Sequence, residues 1–165
     1  MAQLLILGID PGLNRCGWGL VASEGARLSH VAHGVIRPVA QQQLASRLHD
    51  IFEGLCAVIA QYRPHEAAVE ETFVNSNARA ALALGQARGV ALAAAARASI
   101  AVAEYAPATI KKAIVGSGSA DKTQIAFMVR RLLPAAGDVG ADAADALGVA
   151  LCHAAHGGFK RRAGV

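Results

Sequence analysis

The sequence predicts an α/β domain, a mixed five-stranded sheet with helices on both faces. Three short apolar stretches open the chain with turn residues between them, which suits consecutive strands in an antiparallel meander. Two further short apolar runs then alternate with helical stretches, and the chain closes in helical pattern. Helix–strand alternation calls for crossovers between parallel strands, so the sheet must be mixed. With 165 residues one compact domain with its own core is expected.

Gln3 to Asp10 is an apolar run closed by Pro11-Gly12, a buried strand ending in a turn. Gly17 to Ser23 and Leu28 to Arg37 read as the next two strands. Leu44, Leu48, Ile51, Phe52, Leu55, Val58 and Ile59 recur at helical spacing, predicting an amphipathic helix over Gln41 to Tyr62 that stops at Pro64. Ala67 to Glu70 is a brief strand, and Asn77 can cap an alanine-rich helix reaching about Arg97. Ile100 to Tyr105 is the fifth strand, and Pro107 opens a helix to Val115. After a glycine-serine turn, helices are expected over Asp121 to Leu133 and Ala141 to His156. This is the ribonuclease-H-like order of elements. Residues 1–157 are expected to form the domain and 158–165 a short basic tail.

No apolar run reaches the roughly 18 residues of a membrane span. The start lacks a basic leader and a cleavage site before Asp10, so it reads as a strand, and a cytoplasmic location is expected. Cys16, Cys56 and Cys152 are odd in number and far apart, which speaks for reduced thiols. Cys152, His153 and His156 are read as packed or exposed side chains of a helix rather than metal ligands. The net charge of +4 is uneven: up to Tyr105 eight arginines balance eight carboxylates, and beyond it eight basic residues face four acids. A solvated surface or a polyanion-binding face both explain that surplus.

The carboxylates point further. Asp10 ends an apolar strand, and Glu70 ends another that should lie parallel beside it, so the two can converge at one sheet edge. Asp142 and Asp145 are three apart among alanines on a predicted helix and share a face. Taken singly, Asp10 could begin a turn and Asp142 could serve a helix N-terminus. Together, four acids form the oxygen ligand set that Mg²⁺ prefers, and two such ions roughly 4 Å apart hydrolyse phosphodiesters. Glu71 competes with Glu70, but adjacent strand residues face opposite sides, and Glu70 is the favoured ligand.

Gly116 to Thr123 nearly spells a phosphate-binding loop, yet Asp121 stands where glycine is required, and no strand precedes it. Lys122 beside a DNA phosphate is the better expectation. Three blocks then carry a resemblance: Gly8-Ile9-Asp10-Pro11-Gly12, Leu84-Gly85-Gln86-Ala87-Arg88-Gly89-Val90, and Ala141-Asp142-Ala143-Ala144-Asp145-Ala146-Leu147. With Val69 to Phe73, Glu104-Tyr105 and the turn before Lys122 in the same order, nearly the whole chain resembles the RuvC family of Holliday-junction resolvases.

The resemblance implies a homodimer whose two sites nick opposing strands of a four-way junction symmetrically, leaving 5′-phosphate and 3′-hydroxyl ends. It implies Asp10, Glu70, Asp142 and Asp145 as metal-binding catalytic acids, with two Mg²⁺ ions per site and Mn²⁺ as a substitute. Lys111 and Lys122 would be supporting, phosphate-facing lysines, and Phe73 a stacking aromatic at the junction, although Phe73 also reads as a core residue. Lys112, Arg79 and Arg88 are further candidates for DNA contact. RuvA and RuvB branch-migration proteins are the implied partners, and a thymine pair the implied cleavage preference. Two rival readings are an actin-like or sugar-kinase ATPase, which needs a second lobe, and a junction-binding module without catalysis.

Overall fold

A computed structural model describes residues 2–71 and 76–163, with side chains through residue 157. Its strands are β1 (Leu4–Asp10), β2 (Cys16–Glu24), β3 (Arg27–Ile36), β4 (Glu66–Glu70) and β5 (Ala101–Tyr105). Its helices are α1 (Leu44–Tyr62), α2 (Ala78–Arg97), α3 (Pro107–Val115), α4 (Lys122–Leu132) and α5 (Ala141–Ala163). The strands order as β3-β2-β1-β4-β5. β1, β2 and β3 form the expected meander, and β4 and β5 run parallel to β1.

Most boundaries fall within a residue or two of expectation, and two differ by more. α1 starts at Leu44 instead of Gln41, with Gln43 as an N-cap that makes no side-chain capping bond. α5 does not stop at His156 but continues to Ala163, so residues 158–163 are its last turns. Gly157 and Gly158 each cost only about 1 kcal/mol of helix propensity. A helix already nucleated along a packed face propagates through such a weakness.

Strand alternation divides the core into two layers. Leu7, Ile9, Leu20, Ala67 and Val69 face α1 and α2, where Ile51, Leu55, Ala87 and Ala91 complete a buried cluster. Ile6, Val21 and Ala68 face the other way, into a cluster built with α3, α4 and α5. On this second face three sheet positions are glycines. A Cβ on Gly8 would lie 2.1 Å from the Ala146 carbonyl oxygen, and one on Gly17 the same distance from that of Asp142. A Cβ on Gly19 would meet the Leu147 side chain at 2.6 Å. The missing side chains let the α5 backbone lie directly on β1 and β2, with Ala143, Ala146, Leu147 and Ala150 buried against them.

Among the described residues no helix is long and apolar enough to cross a membrane. Replacing Gly8 with alanine should force α5 off β1, because the atoms it would strike are backbone and cannot rotate away. The expected cost is about 1–3 kcal/mol, as for other overpacked cores, read as a lower urea midpoint with an unchanged denaturant slope.

Candidate active site

β1 and β4 are parallel neighbours with Ile9 opposite Val69, so the next residues, Asp10 and Glu70, leave the sheet at the same edge. Strand parity puts both on the α5 face, with Gly8 and Ala68 behind them. Glu71 takes the opposite parity, and its backbone N–H donates to the Tyr105 carbonyl at 2.8 Å. α5 begins over this edge: Gly17, the cross-strand partner of Asp10, lies beneath the Asp142 carbonyl. One helical turn on, Asp145 shares the face of Asp142. The fold thus brings Asp10, Glu70, Asp142 and Asp145 to one place from three separate stretches of sequence.

Their electrostatics follow from burial. The Asp10 carboxyl is pushed up to about 8, by burial first, then by the Glu70 charge, a hydrogen bond with Glu70, and the charges of Asp145 and Asp142. Burial also raises Glu70, and Asp145 adds to it, while the hydrogen bond from Asp10 and the charges of Lys122 and Lys111 oppose the rise. Asp145 is raised, again by burial first, with Lys122 as the main opposing influence. The two neighbouring carboxyls therefore resist carrying two negative charges at once. Such a cluster cannot be fully ionised without added positive charge.

Side-chain cations supply some of it. Lys122 Nζ lies 3.6 Å from Asp145 Oδ2, and Arg15 Nη1 lies 3.9 Å from Asp142 Oδ2. Among the described residues no three acidic, histidine or cysteine side chains close around one point as they stand, although the charges of all four acids act on Asp10 or are Asp10's own. Lys122 and Arg15 stand at the two outer acids, Asp145 and Asp142, and Asp10 and Glu70 interact most strongly with each other. The donor set, all carboxylate oxygen, is the chemistry of a hard divalent cation.

The remaining candidates divide. Lys111 and Lys122 both act on Glu70 and Asp145, so the structure gathers them at the acids. Lys112 and Arg79 are exposed, on α3 and at the start of α2. Arg88 is ion-paired with Glu104 of β5. Phe73 lies outside the described residues. Asp121, which spoils the apparent phosphate loop, is the N-cap of α4: its Oδ1 accepts from the Gln124 backbone at 2.8 Å while its own N–H donates to Gln124 Oε1 at 2.9 Å.

Arg15 is the residue that sequence reasoning missed. It sits in the turn between β1 and β2, which Arg47 of α1 pins by donating to the Leu13 carbonyl at 3.3 Å and to Asn14 Oδ1. The available signal was a basic residue a few positions after Asp10 in a turn that must sit at the edge of the site.

Known proteins resemble this chain along nearly its whole length. The family model for crossover junction endodeoxyribonuclease RuvC matches residues 6–153. The crossover junction endodeoxyribonuclease RuvC of Caulobacter sp. (strain K31) is 61% identical over 149 residues, 90% of this chain and 88% of the relative. That of Paramagnetospirillum magneticum is 52% identical over 157 residues, covering 95% of each. Among solved structures, T. thermophilus RuvC in complex with a Holliday junction substrate superposes with a TM-score of 0.87 at 34% identity, over 94% of this chain and 96% of that one. A yeast mitochondrial Holliday junction resolvase, 14% identical with a TM-score of 0.64 over 94% of this chain and 82% of its own, shares the fold. The order of the elements, the four acids at one sheet edge and these matches along nearly the whole sequence lead to one conclusion: the chain belongs to the crossover junction endodeoxyribonuclease RuvC family.

Proposed function

We propose that this protein resolves four-way DNA junctions by paired, symmetric nicks, hydrolysing phosphodiesters with Asp10, Glu70, Asp142 and Asp145 as the catalytic and metal-binding acids. The observation that carries the reading is the meeting of these four carboxylates at one sheet edge, flanked by Lys111, Lys122 and Arg15. Two Mg²⁺ ions, with Mn²⁺ able to replace them, would activate the attacking water and offset the charge of the leaving oxygen. The chain's own part is to hold that place. Asp10 surrenders its proton as positive charge arrives, and burial keeps bulk water from screening the acids. Lys122, with its side chain 85% exposed, and Lys111 face the phosphate and offset its charge, while water adds to phosphorus and the bond to the 3′-oxygen breaks, leaving 5′-phosphate and 3′-hydroxyl ends. Lys112, Arg79 and Phe73 extend the DNA face.

Family membership also supports a homodimer with one cut per protomer, RuvA and RuvB as partners, and action in the cytoplasm. The relative from T. thermophilus was solved on a Holliday junction substrate, which supports the same substrate here.

Three outcomes test the reading. On an end-labelled four-way junction with a mobile core, the protein should make symmetric, ligatable nicks only with Mg²⁺ or Mn²⁺. Asp10→Asn should cut at least about 100-fold more slowly, more than the usual loss for an outer-shell partner of a metal; equal cutting by that variant removes Asp10 from the mechanism. The second concerns pH. Because the folded-state Asp10 is raised from 3.8 to about 8, the metal-free folded protein holds a proton the unfolded chain has lost. Its contribution to stability is therefore complete below about pH 4 and lost as pH rises toward 8. The melting temperature of the metal-free protein should fall relative to Asp10→Asn across that window, and Mg²⁺ should raise it more at pH 8.5 than at pH 6. The third concerns Arg15: Arg15→Ala should weaken junction binding and reduce the slope of log affinity against log salt by about 0.9, one phosphate contact.

A further inference from the structure

A second polar cluster lies at the far end of the contact between α5 and β4. His153 of α5 is 9% exposed. Its Nε2 lies 2.7 Å from Glu66 Oε2 at the start of β4, and its Nδ1 2.8 Å from the Tyr105 hydroxyl at the end of β5. Nε2–H donates to the carboxylate and Tyr105 O–H donates to Nδ1, so one tautomer satisfies both bonds. The Tyr105 ring lies 5.7 Å from that of His153 and 5.2 Å from that of His156, whose Nδ1 lies 2.9 Å from the Cys152 carbonyl. Burial, then the neighbouring Cys152 and Glu66, raise the Tyr105 hydroxyl, which remains a proton donor.

This cluster ties together the elements that present the acids. Glu66 and Glu70 are the two ends of β4, roughly 13 Å apart on an extended strand. Asp145 and His153 are eight positions apart on α5, roughly 12 Å along the helix. The acids thus lie at one end of the α5–β4 contact and the His153 cluster at the other. Tyr105 links the two ends, for its backbone pairs with Glu70 across β4 and β5 while its hydroxyl reaches His153.

We propose that Glu66, His153 and Tyr105 form a positioning brace that fixes the distance and tilt of α5 against β4, and through them the spacing of Asp142 and Asp145 from Glu70. None of the three touches the reacting atoms; they act through the acids. The glycine contacts at Gly8 and Gly17 allow α5 to approach β1 and β2, and the brace sets its angle toward β4. A misplacement of about 1 Å in such a site can cost about 100-fold in rate. The proposal rests on the acids being the metal site.

The test compares wild type with Tyr105→Phe, which removes one hydroxyl and keeps the packed ring, and with His153→Gln and Glu66→Gln. Mg²⁺ affinity is read from the Mg²⁺-induced shift in melting temperature, single-turnover cleavage of a four-way junction is followed across an Mg²⁺ titration, and junction binding is measured without metal. Ile114→Val serves as control, since Ile114 packs on α5 at Gly148 and has no part in the hydrogen bonds of Glu66, His153 and Tyr105. The brace variants should need about 10-fold more Mg²⁺, in line with losses of outer-shell partners, and cut more slowly at saturation, with junction affinity within twofold of wild type. Ile114→Val should melt earlier with an unchanged Mg²⁺ requirement. A wild-type Mg²⁺ requirement in Tyr105→Phe and His153→Gln overturns the brace, as does an equal change in Ile114→Val. Failure of the wild type to cut the junction counts instead against the functional reading, while the Mg²⁺ titration still judges the brace.

Discussion

How near the α5 backbone can come to β1 and β2 decides everything else at the site. Gly8 and Gly17 leave carbonyls of α5 in spaces where any side chain would collide with them. Because the helix lies that low, the first two turns of α5 can present Asp142 and Asp145 to the edge where Asp10 and Glu70 leave their strands. Small residues on both partners do this: alanines at 143, 146 and 150 on the helix are buried against the glycines of the sheet. A larger residue on either side would add buried area but raise the helix and open the acid cluster.

That closeness sets the electrostatic conflict within the cluster. Packing excludes water from the carboxylates, and exclusion of water is the leading cause of the upward shifts at Asp10, Glu70 and Asp145. The conflict is eased where protons are held, at Asp10 above all, and by two exposed cations, Lys122 and Arg15, beside the outer acids. Both substitutes are easily displaced, one by loss of a proton and the other by rotation of an exposed side chain. Added positive charge would relieve the mutual repulsion of such a cluster.

The sequence made the sheet legible because its strands are short apolar runs with parity intact, and parity alone separates Glu70 from Glu71. Asp142 and Asp145 were legible because three positions on a helix fix a shared face. That Asp121 spoils a phosphate loop was legible, while its capping of α4 emerged only from the structure. What the sequence could not reveal depends on contacts between distant segments. Nothing local marks His153 as the partner of both Glu66 and Tyr105, nor Arg88 as the partner of Glu104. The extension of α5 past Gly157 was likewise hidden, because propensity marks weak points in a helix but not the support that carries it through them.

The order in which the chain is made gives the position of α5 another meaning. Asp10 and Glu70 belong to strands that emerge from the ribosome early, whereas Asp142 and Asp145 come with the last helix of the fold. Folding during synthesis proceeds from the N-terminal side, so a nascent chain holds half of its acids and an uncovered sheet face until α5 arrives and docks. The step that covers Ile6, Val21 and Ala68 is the same step that completes the carboxylate cluster. Chains interrupted before that helix leave this apolar face uncovered and lack Asp142 and Asp145 beside Asp10 and Glu70.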